Sequence, residues 1–136
     1  MRREKRNNGA VFLIVVFAIA LLTTITVGIL VMTTEELQLM QNQLYAAEAM
    51  CTAEAGLNDA LAKIRTSSSW IPDASYTNKA FNGGVYTVSV AGTLPALTIT
   101  SRSTSSQGYD ANVVADVTVG TSSPYAIRID KLRINE

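Results

Sequence analysis

The stretch AVFLIVVFAIALLTTITVGILVM, residues 10–32, runs directly into TTEELQLMQNQLYAAEAMCTAEAGLNDALAKIR, residues 33–65. How these two pieces are read decides the fold. The first is 23 residues long, broken only by three threonines and Gly28, and residues 7–34 carry no charged side chain at all. At 1.5 Å per residue a helix of that length measures about 34 Å, enough to cross a hydrocarbon core of roughly 30 Å. A buried core helix is the alternative, but a chain of 136 residues is too small to cover such a helix on every side. The first piece therefore reads as a membrane-spanning helix.

The second piece contains no proline and a single glycine, Gly56, and is rich in Ala, Leu, Glu, Gln and Met, all good helix formers. Met40, Leu44, Ala47, Met50, Leu57, Leu61 and Ile64 recur at spacings of three, four or seven, which is the apolar stripe of an amphipathic helix. Glu35, Gln38, Gln41, Glu48, Asn58, Asp59 and Lys63 supply most of its polar surface. Nothing separates the two pieces, so one continuous helix is expected over residues 10–65, about 84 Å in length. The serines of residues 67–69 and then Pro72 stop it.

The flanks orient the span. Arg2, Arg3, Lys5 and Arg6 precede it against one Glu4, while Glu35 and Glu36 follow it. The positive-inside rule then puts the N-terminus in the cytoplasm and the mass of the chain outside. The overall balance of 11 basic and 11 acidic residues sums these unlike parts and implies nothing about partners. No basic stripe interleaved with aromatics follows the N-terminal stub, so no nucleic-acid partner is expected. Cys51 is the single cysteine, which excludes an intrachain disulfide, and its helical, alanine-rich setting reads as a small buried residue. A removable secretory signal fits poorly, because the apolar run exceeds the usual 7–15 residues and no small-residue cleavage site follows it.

A basic stub, a glycine, a hydrophobic half-helix and an amphipathic half-helix together resemble the N-terminal module of type IV pilins. That family's short charged leader is cut after a glycine by a dedicated membrane peptidase, and the matching position here is Gly9. The resemblance implies cleavage between Gly9 and Ala10 and N-methylation of the new Ala10 terminus. The segments YAAEA (45–49), AEAGL (53–57) and ALA (60–62), preceded by TEEL (34–37), are similar to the helix signature of PilX-type minor pilins. The likeness covers residues 5–65, about half the chain. It implies helix packing against other pilins or pseudopilins, with Glu48, Glu54 and Gly56 as candidate packing positions. One departure stands out: where major pilins carry a glutamate five residues beyond the cut, this chain has Ile14. A carboxylate in hydrocarbon persists only with a partner, so its absence implies that the corresponding contact is not made. Pseudopilins of the general secretion pathway K type share that absence and are associated with the filament tip. Two readings follow: a tip or initiating subunit, which the resemblance favours, or a protein that never enters a filament.

Beyond the helix the texture changes to period two. Tyr86, Val88 and Val90 share one face; so do Leu97 and Ile99, then Val113, Ala115, Val117 and Val119, and then Tyr125, Ile127 and Ile129. In the last run the phase slips so that Leu132 and Ile134 match, which a bulge near Lys131 would explain. Turn residues bound each run, and three or four strands with one apolar face predict an antiparallel meander. The expected organisation is a leader at 1–9, a membrane half-helix at 10–32, an amphipathic half-helix at 33–65, a linker at 66–83 and a sheet head at 84–136. That is an α+β fold of pilin type, in which the long helix packs on a small antiparallel sheet.

Catalysis finds no foothold in the sequence. There is no histidine, no Gly-rich phosphate loop before a helix and no cysteine cluster. The serines of residues 101–106 read as loop filler. Neither an enzyme nor a cofactor or metal is expected. Glu54 draws attention because, at 100° per residue, it sits about 40° from Met50 and 60° from Leu57, inside the apolar stripe. It either reaches past the sheet edge to solvent or bonds the linker or a neighbouring subunit. The threonines at 23, 24 and 26 either bond back to the preceding turn or, with Gly28, mark a weak point in the helix. The expected partners are lipid of a bacterial inner membrane, the prepilin peptidase and other pilins or pseudopilins. The rival expectation is an uncleaved signal-anchor protein whose small extracytoplasmic head binds a ligand; a tip adhesin is a third.

Overall fold

The computed structural model describes residues 4–134, with side chains from Gly9 onward; Arg2 and Arg3 of the basic leader, and the side chains of Lys5 and Arg6, lie outside the described residues. A single helix, α1, spans Glu4–Thr66 and ends one residue past the expected stop. Lys63 and Arg65 lie in its last turn, where positive charge suits the carbonyl end. The chain divides into two compact units, Met1–Gln41 and Asn42–Glu136.

In the first unit, every side chain from residue 9 to 41 is exposed. This is the one helix in the described chain long and apolar enough to cross a membrane. The hydroxyls of Thr23, Thr24 and Thr26 each donate to the carbonyl four residues back, at 2.8 Å. Thr33 and Thr34 do the same at 2.9 and 2.8 Å. The polar side chains of the apolar helix are thus satisfied within it, as bonding to the preceding turn requires.

The second unit is an α+β head. The helix from Asn42 onward packs on one face of a five-stranded antiparallel sheet in the order β1-β2-β3-β4-β5, a plain meander. The strands are β1 Lys79–Phe81, β2 Gly84–Thr93, β3 Ala96–Thr104, β4 Asp110–Val119 and β5 Ile127–Ile134. The four expected alternating runs are β2 to β5. The stretch expected as a linker, 66–83, is more ordered than that: it contains a 3-10 turn at Ala74–Tyr76 and the additional strand β1. Asn82 and Gly83, both at positive φ (47° and 87°), make the two-residue hairpin turn between β1 and β2. Asn-Gly is favoured there because both central residues must be left-handed. The expected bulge is present: Asp116 pairs Lys131 but Val117 pairs Ile129, leaving Asp130 as the extra residue.

The core joins Ala49, Ala53, Leu57, Ala60 and Ile64 of α1 to Tyr86, Val88, Leu97, Ile99, Val113, Ala115, Val117 and Val119. Ile64 and Ile99 are fully buried, each contributing about 1.5–3 kcal/mol relative to exposure. The expected stripe needs correction here. Leu57 and Ile64 belong to it, and Met50 and Leu61 are half-buried beside it, but Met40, Leu44 and Ala47 are exposed. The helix turns its small residues to the sheet instead of its largest ones, because small side chains let the two backbones approach closely.

Candidate functional site

The residues expected to carry function do not gather in one place. Gly9, Ala10 and Ile14 are exposed on the apolar stretch of α1, Ile14 at 67%, and a side chain at Gly9 would meet nothing within 4 Å. Glu48 is half-buried, and its Oε1 lies 3.1 Å from where a Cβ on Gly83 would stand, so it abuts the β1–β2 turn. Glu54 is exposed, with no hydrogen bond among those found for the described residues. It flanks the packed stripe but does not lie within it, and it faces solvent, making no bond to the 66–83 stretch among those found for the described residues. Cys51, expected to be buried, is exposed; the packed face runs through its neighbours Thr52 and Ala53.

Gly56 is the residue that the head is built around. A Cβ there would collide with Ser101 Oγ and lie 2.7 Å from the Tyr86 ring. Around it, Ala49, Thr52, Ala53 and Ala60 of the helix face Gly84, Ser101 and Ser103 of the sheet, and all are buried. Ser103 Oγ donates to the Ala49 carbonyl across this seam. Ser101 and Ser103 therefore belong to the inner face of β3, where the expectation of loop filler is overturned, whereas Ser105, also buried, lies past the strand in the β3–β4 turn, as expected. Hydroxyls of this size fit under a glycine and alanines where a valine would hold the layers apart. Thr52 Oγ1 and Ser101 Oγ have no partner in the seam. The Gly56 side of the alanine-rich helix motif is thus packed inside its own molecule, whereas Ala46, Ala47 and Ala62 stay exposed.

Toward the β1 edge the helix is clamped. Lys79 Nζ lies 2.6 Å from Asp59 Oδ2, and Tyr86 donates its hydroxyl to the same oxygen at 2.9 Å. The ammonium also stands 4.7 Å from the Tyr76 ring centre, and Trp70 meets that ring edge-on at 4.8 Å. Burial pushes the Asp59 carboxyl up, but the bonds from Lys79 and Tyr86, with the lysine charge, outweigh it and hold it below the ordinary aspartate value. The bond to Asp59 holds Lys79 above the ordinary lysine value. Burial pushes the Tyr86 phenol up. Near the other end of the head, Tyr109 donates to Asn42 Oδ1 at 2.6 Å and stacks on Tyr45 at 6.0 Å. None of these partners could be paired from the sequence, since Asp59 read as polar surface and Lys79 as linker. The Asn82-Gly83 pair beside Lys79 is the one local signal that could have revealed β1.

Toward β5 the head is open. Ile129, Leu132 and Ile134 pair with Val117, Ala115 and Val113, all buried, and so point to the same inner face. Yet the three are 50%, 51% and 50% exposed. The reason is width. A helix with its side chains is about 10–12 Å across, whereas five strands at about 4.8 Å spacing span about 19 Å. α1 sits over β2 to β4 and leaves β5 bare. A shallow groove remains between α1 and β5, lined by Asn58, Leu61, Ala62, Arg65, Ile127 and Ile129. No protein-family model matches the chain, and no curated protein and no solved structure matches it significantly.

Proposed function

We propose that this chain is a minor pilin or pseudopilin subunit of a type IV pilus or type II secretion pseudopilus, acting in filament assembly or priming by helix packing. The observation that carries the reading is α1 itself: an apolar stretch with every side chain exposed, covalently continuous with a helix that carries a small sheet head. Such a stretch needs either lipid or the helices of neighbours, and an assembling subunit exchanges one for the other. The leader is cut between Gly9 and Ala10, the apolar half-helix waits in a bacterial inner membrane with the head outside, and packing against other pilins draws it out. Ile14 in the glutamate position suits an initiating or tip place in the filament. The work is mechanical, with no bond made or broken by the chain itself.

N-terminal sequencing and intact mass of the protein recovered from membranes test this reading. A start at Ala10 with a methylated amine is the expected result, and an intact Met1 overturns it. The rival is an uncut signal-anchor protein with a small extracytoplasmic binding head. It draws on the helical backbone of α1 through Gly9 and Ala10, since a peptidase must seat an extended chain.

A further inference from the structure

The two flanks of the head carry a knob and a groove at one height. On the β5 flank lies the shallow groove, walled by Leu61 and Arg65 of α1 and by Ile127 and Ile129 of β5. On the β1 flank Ile71 is 75% exposed, more than any other large apolar side chain described. Pro72 follows it, and the residue before a proline is confined to extended backbone, so this side chain is presented with little freedom to lose. Its height is fixed by its neighbours. The chain leaves α1 at Thr66, the Trp70 ring meets Tyr76, and Tyr76 lies under the Lys79 ammonium that bonds Asp59. Residues 67–76 therefore run back beside the last two turns of α1, residues 59–66, and the groove is walled from the opposite flank by those same turns. Charge agrees with shape. Arg65 on the groove wall and Asp73, two residues beyond Ile71, are both exposed, and neither makes an ion pair among the described residues, whereas Arg128 and Arg133 are paired with Asp130 and Asp116.

Resting on the membrane anchorage within the reading above, we infer that Ile71 of one copy of this chain seats in the α1–β5 groove of a second copy, with Asp73 set toward Arg65. Knob and groove are level and lie on opposite flanks, so copies anchored alike in one bilayer meet by sideways displacement alone, without tilt or inversion. The donor and acceptor surfaces differ, so the contact is head-to-tail and extends into rows instead of closing on a two-fold axis. One apolar side chain and one ion pair make a weak contact, but copies held in one bilayer meet at high effective concentration, and that is enough to order them.

Cysteine cross-linking on the full-length, membrane-inserted protein tests this. In a Cys51→Ser background, Ile71→Cys and Ile129→Cys are placed on separately tagged copies and mildly oxidised together. The two sites are 75% and 50% exposed, so neither change disturbs the core. The control pairs Ile71→Cys with Arg102→Cys, an exposed position on the outer face of the central strand β3. The expected result is a doubly tagged disulfide dimer about tenfold above that control, as for thiols held at millimolar effective concentration. Arg65→Gln on the groove copy, which removes the charge from an exposed helix position, should lower the yield several-fold. A yield equal to the control, a yield unmoved by Arg65→Gln, or an Ile129→Cys adduct formed only with some other protein overturns the inference. Failure of the two proposals is separable. A start at Ala10 without the specific dimer removes the docking site and leaves the assembly reading; the dimer with an intact Met1 does the reverse.

Discussion

The two flanks of the head sheet are built on opposite plans. On the β1 side, Asp59, Lys79, Tyr86, Tyr76 and Trp70 interlock through an ion pair, a hydroxyl bond and ring contacts. On the β5 side three large apolar side chains stand half in water. The same helix separates them, and it is too narrow to cover all five strands, so it closes one flank and leaves the other bare. A closed flank fixes the helix on its sheet; the open flank leaves its apolar row accessible. The same contrast divides α1, whose alanines and glycine are spent on the closed seam while Leu37, Met40 and Leu44 stay outside.

The seam offers the largest effect. Gly56→Val places branched carbons into Ser101 and the Tyr86 ring, which are pinned by the sheet and cannot yield as a surface side chain would. Overpacking of this kind should cost the head about 3 kcal/mol, and Gly56→Ala about 1–2 kcal/mol, measured by chemical denaturation. Ser101→Gly should recover part of the Gly56→Ala loss, because it removes the nearest atom. If Gly56→Ala is silent, the close approach of helix and sheet is not what holds the head.

The clamp comes next. Lys79→Met should cost about 1 kcal/mol or less, since the lysine is 41% exposed and solvent weakens the pair. Its pH signature is more telling than its size. Asp59 is held below its ordinary value, so its contribution is present above about pH 4 and is lost as pH falls through the depressed value. Lys79 is held above its ordinary value, so its contribution is complete below about pH 10 and fades as pH rises beyond that. In Lys79→Met both flanks of that stability profile should flatten in pH-dependent thermal melts, and an unchanged profile would remove the clamp from the account.

Much of this contrast could not be read along the chain. Period two located β2 to β5, and the phase slip at Lys131 located the bulge, because a strand writes its faces into alternate residues. The helix was legible in extent but not in rotation. Its largest apolar residues outlined one stripe, whereas the sheet selected a partly different one, in which Ala49, Ala53, Gly56 and Ala60 permit close approach. Hydropathy weighs size and so overlooks alanine and glycine as contact residues. Ser101 and Ser103 were hidden for the same reason: their parity continues β3, but their polarity suggests a loop. Pairings such as Asp59 with Lys79, twenty residues apart in sequence, leave no local trace. Ile14, Gly9 and Ala10 are legible only through likeness to a family.

The open flank should respond least, and that is its diagnostic. Leu132→Ser removes a side chain from a strip that α1 does not cover, so the head should change by no more than about 0.5 kcal/mol, the usual range for surface substitutions. Glu54→Gln, on an exposed helix position with no partner in its own chain, should be equally quiet in folding. Set beside Gly56→Val, these variants separate residues that make the head from residues that the head displays. A large loss in Leu132→Ser would mean that β5 is held by its apolar row even though half of each side chain is wet, and the flank would then be structural. A silent Leu132→Ser in folding keeps the contrast intact: one edge of the sheet holds the head together, and the other does not.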